Sequence, residues 1–277
     1  MRTFKAVITP RSAFGTPLLG DTLFGQLCWV LRNRLGEAQL VELLQGYTTG
    51  QPFLVVSDAF PAGYLPRPAL PSHLFVTPKD AERKALKKRA WLPLTQFHEP
   101  VTAWLQRCQP ASEIPGGEVH AHPQPHNRIN RLTNTTGADH APYSLNQLWH
   151  GQRYAAPPTT PVPEVIWDTY WVLDETRLDA ATLQQALQDL GAWGFGRDAS
   201  IGLGKFAVRE FVPFELPMQA HANAWLTLAP CAPQGLAWQA ERCFYQPFTR
   251  FGRHGDLGVH LGNPFKTPVL LASTAAS

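Results

Sequence analysis

Cysteine is scarce in this chain and scattered: Cys28, Cys108, Cys231 and Cys243 lie far apart with no CxxC pair. That argues against a disulfide scaffold and fits a reduced, cytoplasmic protein with its thiols as small core residues. Charge is also sparse, at 16% Asp, Glu, Lys and Arg, and nearly balanced, with 24 basic and 21 acidic residues. Such a balance permits nucleic-acid binding through local patches but does not argue for it. No stretch reaches the ~18 uninterrupted apolar residues of a membrane span, and Met1–Pro10 lacks the apolar run of a signal peptide. What is abundant is apolar and proline content. The 277 residues are 44% hydrophobic and include 26 prolines. That excludes a disordered chain, allows a sizeable core, and predicts long non-helical connections.

Residues 2–9 alternate, with Phe4, Ala6 and Ile8 on one face and Thr3, Lys5 and Val7 on the other, which predicts a strand closed by Pro10. Asp21-Thr22 can cap a helix over Leu23, Leu27, Val30, Leu31 and Leu35, stopped by Gly36, with a second short helix over 37–44. Strands are expected at 53–60, 164–173 and 206–212, and a helix over 179–190 with Asp179 as cap and Gly191 after its end. The tail suggests further strands at 224–229, 242–249 and 267–272. The order strand–helix–strand, insertion, strand–helix–strand is that of a split βαβ or ferredoxin-like unit. We therefore expect an α+β fold: a domain over 1–212 holding an insertion at 61–163, and a smaller β-rich unit over 213–277, a candidate degenerate ferredoxin-like fold.

Four stretches carry candidate chemistry. The first is Gly194-Phe-Gly-Arg-Asp-Ala-Ser-Ile-Gly-Leu-Gly-Lys205, spaced GxGxxxxxGxG, whose backbone can approach a phosphate closely. It is neither a Walker A loop nor a dinucleotide fingerprint, because Phe206 follows the lysine and the segment leads into a strand; a tight helix-to-strand connection is the plainer reading. The second is His126-Asn-Arg-Ile-Asn-Arg-Leu-Thr-Asn-Thr-Thr136, in which arginines suit phosphates and Asn/Thr suit bases and sugars. As structure alone it reads as a polar surface loop. The third is the basic run Lys79, Arg83, Lys84, Lys87, Lys88, Arg89, ordinarily a solvated face. The fourth, His120, His122 and His126, lacks the Cys or carboxylate pattern of a structural zinc site. His126 is the best placed for proton transfer from a 2′-hydroxyl, which keeps a metal-independent, repeat-processing endoribonuclease open as an alternative. A purely structural bridging subunit is another.

The segments Pro10–Trp29 (with GDTLFG), Val56-Ser-Asp-Ala-Phe-Pro61 with Leu65-Pro-Arg-Pro68, His126–Arg131 and Gly194–Lys205 together resemble the RAMP subunits that cap the guide RNA 5′ end in type III-A CRISPR (Csm) interference complexes, the fourth Csm subunit. The resemblance covers nearly the whole chain in the family's order. It implies a ferredoxin-like, RRM-like RAMP fold and a non-catalytic RNA-binding subunit of a hetero-oligomeric ribonucleoprotein, with no metal, cofactor or membrane. Its partners would be the guide RNA, the large polymerase/cyclase-like subunit and a backbone RAMP subunit, and the 61–163 insertion would act as a thumb. Carried over residue by residue, the handle contacts would be Arg11, Ser12, Asp21, Thr22, His126, Asn127, Arg128, Asn130, Arg131, Arg197, Ser200, Gly202 and Lys205. One departure is visible: after Lys266-Thr-Pro-Val-Leu-Leu-Ala the family continues into a glycine-containing hairpin, whereas this sequence has Ser273-Thr-Ala-Ala-Ser277.

Overall fold

The computed structural model describes residues 1–76, 82–136, 141–150, 164–232, 239, 241–255, 258 and 262–277; Lys79 of the basic run lies outside them. In chain order the elements are β1 (Arg2–Pro10), α1 (Gly20–Leu35), α2 (Glu37–Leu43), β2 (Leu54–Val56), β3 (Phe60–Pro61), β4 (Tyr64–Pro66), α3 (Arg83–Lys88), β5 (Arg89–Pro93), α4 (Trp104–Arg107) and β6 (Gln109–Pro110). They continue with β7 (Val119–His126), β8 (Tyr143–His150), β9 (Trp167–Leu173), α5 (Ala180–Trp193), β10 (Phe206–Pro213), β11 (Pro247–Arg250) and β12 (Val269–Ala272).

The class is α+β with antiparallel sheets. The main sheet runs β10-β1-β9-β2, with β3 also pairing β9. The alternation in β1 sets its sidedness. Phe4, Ala6 and Ile8 are buried under α1 and α5 with Leu23, Leu27, Leu31, Leu183, Leu187 and Leu190, around Trp171 of β9. Burying each such leucine contributes roughly 1.5–3 kcal/mol. The opposite face is covered too. Phe60, Leu65 and Tyr170 pack there with Trp91, Phe97, Phe214 and Leu228. A third cluster, Phe75, Leu92, Trp104, Leu105 and Cys108, holds the small β4-β5-β6 sheet.

Several expectations are corrected by local physics. Helix α1 begins at Gly20, not behind an Asp21-Thr22 cap, and the Gly20 N–H donates 2.7 Å to Asp58 Oδ1, a carboxylate brought from the β2–β3 turn. The strand expected over 53–60 is broken, because Ser57 bonds Tyr170 while the Asp58 N–H turns to Leu228 C=O. Helix α5 is capped by Asp179, which accepts the Thr182 N–H at 2.8 Å, but it runs through Gly191 to Trp193. A Cβ on Gly191 would sit 2.4 Å from the Phe206 carbonyl, so the glycine lets the helix lie close on β10. The segment expected as a strand at 224–229 forms none; Thr227 and Leu228 bond instead to Ala275, Ala276 and Asp58. Within the insertion, for which the sequence suggested no strand, β7 and β8 form a long hairpin, with Val119 opposite His150 and His126 opposite Tyr143. Pro123 and Pro125 share one parity in β7, so both missing N–H groups fall on the same edge of a ribbon that needs only one edge paired.

Candidate nucleic-acid interface

The glycine segment is laced to the loop after β1. Lys205 C=O accepts the N–H groups of Arg11 and Ser12, Ser12 Oγ accepts the Lys205 N–H at 2.9 Å, and the Gly204 N–H donates to Ala13 C=O. The Gly196 N–H reaches Gln26 Oε1 of α1 at 3.0 Å, and the Arg197 N–H reaches Thr16 Oγ1 at 3.0 Å. A Cβ on Gly204 would lie 1.9 Å from Phe195 O, one on Gly15 2.3 Å from Arg197 O, and one on Gly196 2.6 Å from Thr16 Cβ. At Gly204 and Gly15 two backbones touch, and at Gly196 the Thr16 side chain fills the space. Gly202 differs: φ is +100° and open space surrounds it. Within the loop, the N–H groups of Asp198, Ala199 and Ser200 alone have no hydrogen-bond partner among the described residues, and Ser200 is exposed.

The loop's cations both donate to protein. Lys205 Nζ donates to Ala192 C=O at 2.6 Å, closing the last turn of α5. Arg197 donates from Nη2 to Asn146 C=O of β8 at 2.6 Å and from Nε to Asp198 at 3.0 Å. The hairpin is fixed a second time where Phe14 and Leu148 exchange backbone bonds. At the hairpin's base His150 packs edge-on to Trp167, with ring centroids 4.1 Å apart, and burial, helped by nearby His120, lowers its pKa from 6.5 to about 3.

The hairpin carries the Arg/Asn segment at its far end. Asn146 pairs with Pro123, three pairs before His126–Tyr143, so the tip begins about 10 Å beyond the Arg197 contact. Asn130 organises it: its side chain accepts the Leu132 N–H, and its backbone bonds Thr135 and Asn134. His126 stacks on Tyr143 at 5.4 Å. Asn127, Arg128, Asn130 and Arg131 are exposed. Neither arginine is ion-paired among the described residues, and Leu132 is 95% exposed.

Asp21 and Thr22 lie on α1, Asp21 five residues before Gln26 and so about 7.5 Å along the axis. Asp21 is clamped by Arg250, whose Nε and Nη2 donate at 2.5 and 2.6 Å. Beside it Asp58 accepts Gly20 N–H and the Thr274 hydroxyl, and burial raises its pKa to about 6. Thus Arg11, Ser12, Arg197, Ser200, Gly202 and Lys205 form one seat; His126, Asn127, Arg128, Asn130 and Arg131 stand on the hairpin rooted in it; and Asp21 with Thr22 sits beside it against the C-terminal strands. Sequence reasoning missed Thr16, Gln26, Asn146, Asp58 and Arg250. They act mostly through long-range pairs with no local pattern, though a glutamine on the helix after the 11–20 loop was a usable hint.

No family model and no curated protein matches the sequence. The fold is similar to that of subunits of type III-A CRISPR–Cas complexes. The structural neighbours are Csm4 in a Csm1–Csm4 cassette with cA4 (TM-score 0.56, 17% identity, covering 98% of this chain and 95% of that one) and in a cassette with pppApA (0.54, 17%, 98% and 95%). A Csm3–Csm4 subcomplex of the type III-A interference complex matches at 0.56 and 12% identity, covering 100% and 91%. No helix among the described residues is long and apolar enough to cross a membrane.

Proposed function

We propose that this chain is the fourth Csm subunit of a type III-A CRISPR ribonucleoprotein and that it binds, without cleaving, the 5′ handle of the guide RNA. The observation that carries the reading is fold agreement over nearly the whole chain with Csm4 found beside two different partners, Csm1 and Csm3. The main-sheet order β10-β1-β9-β2 supports reading the sheet as a ferredoxin-like unit, with 61–163 as its insertion and 213–277 as a second unit. The covered second face of that sheet directs RNA away from the sheet surface and toward the hairpin. There Arg128 and Arg131 neutralise phosphates, Asn127 and Asn130 contact bases or sugars, and the Ser200 corner of the seat offers backbone donors. The large polymerase/cyclase-like subunit and a backbone RAMP subunit flank it as protein partners.

The test is salt-dependent binding of a labelled guide carrying its 5′ handle. Each phosphate contact on a single strand contributes about 0.7 to the log–log slope. Arg128→Ala with Arg131→Ala is expected to flatten the slope by about 1.4, with the guide intact. An unchanged slope refutes the RNA role of the tip, and handle-length cleavage that disappears with His126→Ala establishes the endoribonuclease instead.

A further inference from the structure

The strands β11 and β12 continue as a longer ribbon whose surface the guide-handle reading does not use. Beyond the paired residues Thr249–Leu270 and Arg250–Val269, the Lys266 N–H bonds Gly252 C=O, Arg253 bridges Phe265, and the His254 N–H bonds Pro264 C=O. The ribbon is anchored on α1 by the Asp21–Arg250 clamp and by Gly255, where a Cβ would meet Trp29 at 2.9 Å. Residues 249, 251 and 253 share one face by parity. On it Phe251 is 74% exposed, and Phe265, opposite Arg253, is 60% exposed. The Arg253 guanidinium lies 5.1 Å from the Phe265 ring centre, while Lys266 lies with Gly252 on the other face of the ribbon. The described residues 247–255 and 262–272 contain three cations and no carboxylate. Asp21, which reaches the ribbon from α1, is taken by Arg250.

Aromatic rings presented to solvent beside a guanidinium that has no ion-pair partner among the described residues match the chemistry of a single nucleic-acid strand, in which each base has a face to stack and each linkage a charge to neutralise. Residues two apart on a strand are about 7 Å apart, a step one extended nucleotide spans. We propose that this ribbon is a second single-stranded RNA surface, with Phe251 and the Phe265–Arg253 stack as base platforms and the Arg253 guanidinium as the phosphate contact. The choice of RNA rests on the proposed function; the stacking and charge complementarity do not.

The experiment uses the full chain carrying Arg128→Ala and Arg131→Ala, so that the hairpin tip is silenced, with a fluorescent oligouridylate that has no handle sequence and anisotropy as readout. The oligomer is expected to bind. Phe251→Ala is expected to weaken it about tenfold, Phe265→Ala by a similar factor, and Phe251→Leu nearly as much as alanine, because leucine keeps apolar bulk and loses the ring face. Both rings are exposed, so unchanged thermal melts are expected. Absence of binding, native affinity in both alanine variants, or full rescue by leucine overturns the proposal, the last pointing to an apolar protein contact. Binding of handle RNA to the chain with its native tip, run in parallel, separates failure here from failure of the guide-handle reading.

Discussion

The glycine loop and the hairpin tip look alike as sequences, each a run of small and polar residues with two cations, yet they are built to opposite ends. In the loop Lys205 closes helix α5, Arg197 holds the hairpin, and Gly194 and Gly204, with Gly15 of the facing loop, allow close backbone contacts. At the tip Arg128 and Arg131 face solvent over a turn held, among the described residues, by Asn130 and its neighbours. The loop is a seat and the tip is a reach. A cation near glycines is not by itself a phosphate ligand; Arg197 and Lys205 each already spend a donor on a backbone carbonyl, and among the described residues the tip arginines do not.

The contrast is breakable by mutation. Gly204→Ala drives a methyl into the Phe195 carbonyl at φ +72° and is expected to cost about 3–5 kcal/mol, while Gly202→Ala, strained only in φ, costs about 1–2 kcal/mol. Denaturant melts of the two variants measure the gap, and equal costs dissolve the notion of a seat. Acid probes the hairpin base next. The pKa of His150 falls from 6.5 in the unfolded chain to about 3 in the fold, so the unfolded chain binds the extra proton and stability is lost as pH falls below 6.5. Relative to His150→Gln, the native protein should lose about 1–2 kcal/mol between pH 6.5 and 5. Asp58 moves the other way, its raised pKa favouring the fold as pH falls from about 6 toward 4, so the comparison must be with the variant and not with the bare pH profile. The smallest effect is at the tip: Arg128→Ala with Arg131→Ala should shift stability by less than about 0.5 kcal/mol, and a larger loss shows that the tip is structural.

The core was legible because its pattern is local. Alternation in β1, the leucine spacing of α1 and the Asp179 cap each announce an element within a few residues. The hairpin was not, since Pro123 and Pro125 disguise a ribbon that satisfies only one edge, and neither was the helix cap from Asp58, which depends on a residue 38 positions from Gly20. Both candidate RNA stretches were visible as composition. Their unequal availability was not, because Asn146 and Ala192, the acceptors that occupy Arg197 and Lys205, are backbone carbonyls that any residue could supply. The Thr274–Asp58 bond likewise gives the divergent C-terminal residues a role that their sequence does not advertise.

The most direct test is photo-crosslinking of a guide RNA with a reactive nucleotide at each handle position in turn, followed by peptide mapping. Crosslinks to residues 126–136 from some positions and to residues 197–202 from neighbouring ones are the expected result. Crosslinks confined to the basic helix Arg83–Lys88, or absent from the hairpin tip, would contradict the account.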